Sequence, residues 1–175
     1  MAEYVDFPGD AVVPAYSKIY GPFKRDMEPA PNKNKLKEGE WYDQAFETLQ
    51  DVDWHWTEKL DGTNIRIHWD GYRVSMAGRS HRAELSADLV RYVHENLTEE
   101  LFEQVFGEKT VTLYGEGLGA GIQKAGVLYS PTKKFVLFDV LVGDVWLPRP
   151  VVPEIARGFG IEFAKPLFET SVHKA

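Results

Sequence analysis

Along the chain the hydrophobic and polar positions change their rhythm near residue 54. Before it, Pro8, Pro14, Pro22, Pro29 and Pro31 are spaced by polar residues, a pattern that predicts extended segments and turns rather than helix over residues 1–40. After it come short strands. Trp54 to Glu58 is one; Thr63 to Trp69 is the clearest, with Ile65, Ile67 and Trp69 alternating against Asn64, Arg66 and His68. Asp70-Gly71 is a strong hairpin signal and predicts a return strand over Tyr72 to Met76. Ser86 is placed to cap a helix carrying Leu89, Val90, Val93 and Leu97 on one stripe. Thr98 is placed to cap a second, with Leu101, Phe102, Val105 and Phe106. Strands are expected again at Val111 to Glu116 and Lys134 to Val142, where Gly143-Asp144 turns the chain into Val145 to Leu147. A last short helix runs from about Val152 to Phe159, with Pro153 in its first turn and Gly160 as its C-terminal cap. Hairpin-linked strands with helices grouped between them predict an α+β fold with a mainly antiparallel sheet. The expected layout is an extended arm over 1–40 and a single core over 41–175.

Composition narrows the function classes. A chain of 175 residues with 43% hydrophobic content can bury one continuous core. It has no apolar run long enough to cross a bilayer and no basic-then-apolar start typical of a signal peptide, so the expectation is a soluble, cytoplasmic protein with no membrane partner. With no cysteine, and with five histidines that are not paired at ligand spacing, disulfides and structural zinc are excluded. A net charge of -7 argues against a surface that binds nucleic acid everywhere, so any polyanion site must be local. Lys18 to Arg25, the trio Lys33, Lys35 and Lys37, and Arg79 with Arg82 are the candidate patches; each also fits a solvated charged surface.

The candidate chemistry lies in Lys59-Leu60-Asp61-Gly62, where a strand ends and a glycine turn begins. Alone it equally fits a lysine beside a tight turn. Its company is more specific: Glu58 before it and Thr63-Asn64 after it, then Gly78-Arg79-Ser80, then Leu113-Tyr114-Gly115-Glu116-Gly117, then Phe135-Val136-Leu137-Phe138-Asp139-Val140. This ordered series resembles motifs I, III and IIIa of the covalent nucleotidyltransferases, most closely the phage-type RNA ligases similar to RNA ligase 2.

The resemblance covers about Lys18 through Ile161 and implies a nucleotidyltransferase (ATP-grasp-like) core of antiparallel sheets around an ATP pocket. It implies that Lys59 attacks the α-phosphate of ATP to give a lysyl-AMP phosphoramidate, for which the amine must lose the proton it ordinarily holds at neutral pH. It implies that Arg79 contacts the nucleotide and Glu116 the ribose. A motif IIIa aromatic stacks on adenine, with Phe135 the first choice and Phe138 the second, since residues three apart on a strand do not share a face. Glu58 is expected to read the base edge, Leu60, Asp61 and Gly62 to line the nucleotide, and Asn64 to serve the sealing step. Asp139 either helps organise magnesium or caps a turn; the metal ligands are otherwise unassigned. The partners implied are ATP and RNA ends or a nicked duplex in RNA repair, and the oligomeric state is left open. Motif IV, a glutamate-glycine element, and motif V, a lysine pair, are expected further on. Gly160 to Lys165 and His173-Lys174 match them poorly, so the core reads as ending before both. A DNA ligase or capping guanylyltransferase of the same superfamily, or a non-catalytic module that retains the pocket, are the alternatives.

Gly115-Glu116-Gly117-Leu118-Gly119-Ala120 also fits a dinucleotide fingerprint, but Gly121, Gly126 and Pro131 follow where its helix should begin. No phosphate-binding Gly-Lys-Ser/Thr is present. The glycines are expected instead to let a loop bend closely past a ligand.

Overall fold

The computed structural model describes residues 13–28, 34–79 and 84–172. The expected features at Pro8, Pro29, Pro31, Lys33, Ser80, Arg82 and His173-Lys174 lie outside them. In chain order the elements are β1 (Phe23–Arg25), β2 (Leu36–Trp41), α1 (Gln44–Thr48), β3 (Trp54–Thr57), β4 (Thr63–Trp69), β5 (Val74–Gly78), α2 (Ala87–Asn96), α3 (Glu99–Phe106), β6 (Val111–Leu118), α4 (Gly126–Tyr129), β7 (Lys134–Val142), β8 (Val145–Trp146), α5 (Val152–Phe159), β9 (Glu162–Phe163) and β10 (Pro166–Thr170).

Two compact units result. One joins residues 1–16 to 59–164, the other 17–58 to 165–175, so the division does not fall at residue 40. The first unit holds a six-stranded sheet in the order β5-β4-β6-β7-β8, with β9 paired parallel to β7 and every other pairing antiparallel. Register assigns each side chain to a face. Ile65, Ile67 and Trp69 stand opposite Gly115, Leu113 and Val111, and with Phe135, Leu137 and Val140 they form the buried face. On it lie Leu89, Val90, Val93 and Leu97 from α2, Phe102 from α3, and Val152, Ile155, Ala156 and Phe159 from α5. Both helical stripes are thus core faces, as expected. Trp69, Phe102 and Phe159 pack ring to ring, with centroids 5.8 Å and 4.7 Å apart.

Local chemistry sets the element ends. Thr98 Oγ1 accepts the Leu101 N–H at 3.4 Å, whereas Ser86 occupies its cap position without a side-chain bond. Gly160 ends α5 in the left-handed region at φ 65°. The hairpin after β4 is shifted from expectation. Asp70 pairs with Arg73, so Gly71 and Tyr72 form its tip, and Asp70 Oδ1 accepts the amides of Tyr72 and Arg73 at 2.8 and 2.7 Å. These bonds hold residues 72 and 73 in the turn, and β5 begins at Val74.

The other sheet face is polar but not wet. Arg66 is 1% exposed and His68 5%. Residues 13–16 lie against it: Arg66 Nη1 donates to the Val13 carbonyl at 2.7 Å, and Tyr114 Oη donates to the Pro14 carbonyl at 2.9 Å. Arg66 also donates Nε and Nη2 to the Gly78 carbonyl, which satisfies the buried guanidinium. His68 Nδ1 pairs with Thr112 Oγ1 at 2.9 Å, and burial pushes its pKa down.

In the second unit β1 pairs with β2 and β3 with β10. The proline-rich stretch therefore contains a two-stranded ribbon, which joins the basic patch at Lys18 to Arg25 to Lys35 and Lys37. Glu38 and Glu40 stand on the same ribbon. No helix of the described residues is long and apolar enough to cross a membrane.

Candidate nucleotide site

The site starts where β4 begins. Gly62 precedes β4 at a point where a side chain has no room, because a Cβ there would run into the Gly117 carbonyl, Leu118 and Glu116. That close approach brings residues 59–62 against β6. Glu116 Oε1 accepts the Gly62 N–H at 3.2 Å. Burial pushes the Glu116 carboxyl above its ordinary pKa, while the Gly62 hydrogen bond and the charge of Lys59 act in the opposite direction. Lys59 itself is exposed.

Asn64 stands directly opposite Glu116 in the β4–β6 ladder, so both side chains leave the same face of the sheet. Its Oδ1 is buried and has no hydrogen-bond partner among the described residues. An orphaned acceptor is costly, and a ligand donor would relieve it. Arg79 is exposed directly after Gly78, which pairs with Ile65. It therefore sits at the same end of the sheet as Asn64.

The two candidate aromatics separate. Phe135 pairs with Gly117, is 0% exposed and lies within the core on the helix side of the sheet, its ring pressed against Gly115. Val136, opposite Glu116, shares the glutamate's face instead. Phe135 as first choice for the adenine stack must therefore be corrected: it lies across the sheet from Glu116 and Asn64. The ladder shifts register between Tyr114 and Gly115, leaving Phe138 outside the pairing. Phe138 turns to the other side, half-buried, 4.7 Å edge-on from Tyr16.

Asp139 does not cap a turn. It lies inside β7 opposite Tyr114 and accepts a hydrogen bond from Tyr16 Oη. Burial first, then that bond, raises the Tyr16 pKa well above the ordinary phenol value. Tyr16 also packs on Tyr114 and Trp146, so the far end of this face is closed by an aromatic cluster. Leu60 is half-buried and Asp61 exposed, while Glu58 is exposed and ends the preceding stretch of the second unit. Among the described residues no three His, Asp or Glu side chains come together as a metal site.

Sequence reasoning missed the loop that backs Lys59. Gln123 Nε2 donates to the Gly62 carbonyl at 3.2 Å, and Tyr129 Oη accepts the Asp61 N–H at 3.3 Å. The glycines signalled a tight loop but not its target. Gly119 and Gly126 serve the loop's own folding, since a Cβ on either would strike the backbone at Thr132 or Gly119.

An antiparallel sheet packed on helices, with a K-x-D-G turn at one end of its opposite face, defines a nucleotidyltransferase-type core. The chain belongs to the RNA ligase family, whose profile matches residues 52–175. It is similar in fold to solved structures of the Naegleria gruberi RNA ligase. A variant with AMP and Mn superposes with a TM-score of 0.62 at 17% identity, and another with ATP and Mn gives 0.62 at 18%. The structure of that ligase with PPi likewise gives 0.62 at 18%. In all three the match covers 74% of this chain and 40% of the ligase chain, so this chain spans about two fifths of the length of those relatives. A comparison with curated protein sequences gives no significant match.

Proposed function

We propose that this chain provides the adenylate-forming part of an ATP-dependent RNA ligase, with Lys59 as the residue that takes AMP. The observation that carries the reading is the placement of Lys59, Glu116 and Asn64 at one end of a single sheet face. There an exposed amine stands beside a carboxylate held on the Gly62 amide and a buried acceptor with no protein partner. The neutral Lys59 Nζ attacks the α-phosphorus of ATP, so that a P–N bond forms as the bond to the bridging oxygen of pyrophosphate breaks. Pyrophosphate leaves with that electron pair, and the nitrogen releases its surplus proton to solvent. The AMP then passes to an RNA 5′-phosphate, which activates it for attack by a 3′-hydroxyl.

In this arrangement Glu116 receives a ribose hydroxyl, Arg79 a phosphate, and Phe138 rather than Phe135 the adenine ring. A magnesium ion would supply charge neutralisation at the phosphates. Such an ion would be carried mainly by phosphate oxygens and water, with Asp61 as an exposed oxygen donor beside the lysine. Asp139, engaged by Tyr16, is not assigned to it.

Intact-mass measurement after incubation with ATP and magnesium tests the covalent step. The chain should gain one AMP, and Lys59→Ala should gain none while melting within about 2 °C of the parent, because surface substitutions rarely shift stability by more than ~0.5 kcal/mol. An adduct on the variant would move the nucleophile elsewhere.

A further inference from the structure

We infer that the Gly119–Tyr129 loop is a cradle that positions the nucleophile, with Gln123 and Tyr129 as its positioning residues; this deepens the reading of Lys59 and rests on it. Three side chains hold the three successive peptide units after Leu60. Glu116 takes the Gly62 N–H, Gln123 donates to the Gly62 carbonyl, and Tyr129 takes the Asp61 N–H. Two of the three come from this loop. Residues 61 and 62 are two positions and one position from the β4 strand they enter and carry Lys59 on their other side, so fixing them fixes where the lysine leaves the sheet.

The backbone of the loop supports the assignment. Gln123 has φ +54°, one of two non-glycine residues in the left-handed region among the described residues, although glycine would occupy that conformation without strain. Its neighbours at 119 and 121 are left-handed glycines at φ +124° and +81°. An exposed residue kept in a disfavoured conformation serves no packing need, and its side chain points into one hydrogen bond with the turn behind Lys59. The loop is also anchored independently of that bond. Ala120 N–H donates to the Ser130 carbonyl at 3.0 Å, Ile122 N–H to the Gly119 carbonyl at 2.9 Å, and Lys133 Nζ to the Ala120 carbonyl. Ile122 is buried in the core. The cradle is therefore braced from beneath, and removing the Gln123 amide should release the turn without unfolding the loop.

A purely structural residue and a positioning residue differ in the sign of one comparison. Gln123→Gly removes the amide and the backbone strain together, so its melting temperature should equal or exceed that of the parent. Its single-turnover rate of lysyl-AMP formation should fall by roughly 10- to 100-fold, since displacing a reacting group by ~1 Å costs up to about that much. ATP affinity should stay within about twofold. Gln123→Glu, equal in size but without a donor for the Gly62 carbonyl, should be slowed similarly. Tyr129→Phe should raise deuterium uptake over residues 59–62, as both Gln123 variants should. A rate equal to the parent's in Gln123→Gly, or a rate loss accompanied by a matching loss of stability, would overturn the assignment. If the parent itself forms no adduct, the proposed activity fails. The cradle is then decided by deuterium uptake alone: higher uptake over 59–62 in Gln123→Gly upholds it and unchanged uptake refutes it.

Discussion

Phe135 and Phe138 differ by three positions and should answer to different assays. Phe135 is 0% exposed, and its ring fills the space that Gly115 leaves by lacking a side chain. Truncation to alanine leaves a hole walled by the backbone of a central strand, which cannot move in to fill it. Phe→Ala in such a setting costs about 3–5 kcal/mol. For a domain of this size each kcal/mol lowers Tm by about 2–4 °C, so Phe135→Ala should melt roughly 6–20 °C below the parent. Its effect on ATP binding, measured by calorimetry well below the melting transition, should be less than about threefold. Phe138 is half-buried and turned towards Tyr16, so Phe138→Ala should cost less stability. It should, however, remove a base-stacking platform worth ~1–3 kcal/mol, which raises the Kd for ATP by roughly 5- to 150-fold. Thermal melting by circular dichroism, paired with calorimetry on both variants, separates the two. A Phe135→Ala protein that melts like the parent and binds ATP more than tenfold worse would refute the division of faces derived from the register of β6 and β7.

Glu116→Gln should keep a carbonyl acceptor for the Gly62 amide while removing a buried charge. Because burial raises the folded-state pKa of Glu116, protonation favours the folded form; that contribution is complete below the unfolded pKa and is lost as pH rises through the folded one. At neutral pH the variant should therefore melt at or above the parent and bind ATP more weakly, and its thermal advantage should vanish in a pH series taken below the ordinary carboxylate range. Parallel melting curves across that series would show that the carboxylate is not strained by burial. Tyr16→Phe removes the donor to the half-buried Asp139 and should cost about 1–3 kcal/mol in denaturant unfolding. Asp139→Asn should bring the Tyr16 phenol back towards its ordinary titration range, although burial, the larger cause of its rise, remains.

The parts of the fold that were legible are those whose signal is local. The alternation of Thr63 to Trp69, the two helical stripes and the glycine cap at 160 each depend on neighbours within a turn or a strand, and the structure places all of them as expected. The ribbon of β1 and β2 was hidden because its pairing joins Phe23 to Trp41 and Arg25 to Leu36 across a proline-rich interval that reads as arm. The dry state of Arg66 and His68 was hidden for a related reason. Their polar alternation is that of a solvent face, and the Val13 carbonyl that takes up Arg66 lies 53 residues earlier, while His68 pairs with Thr112 on a neighbouring strand. Alternation along β7 shows that Phe135 and Phe138 face opposite sides but not which side is the core; that follows from the pairing of Phe135 with Gly117 across the ladder.

The same register of β4, β6 and β7 explains why the Gly115-Glu116-Gly117 triplet has its form. Residues 115 and 117 point to the helix side, where a Cβ on Gly115 would strike Phe135 and one on Gly117 would meet Leu89 and Ile65 at 2.6 and 2.7 Å. The two glycines are therefore packing residues, and large side chains from β4, β7 and α2 take the volume they vacate. Glu116 points the other way, opposite Asn64 and Val136, and is half-buried. Burial is what raises its pKa, and the missing side chain at Gly62 is what lets that amide come within reach of Glu116 Oε1.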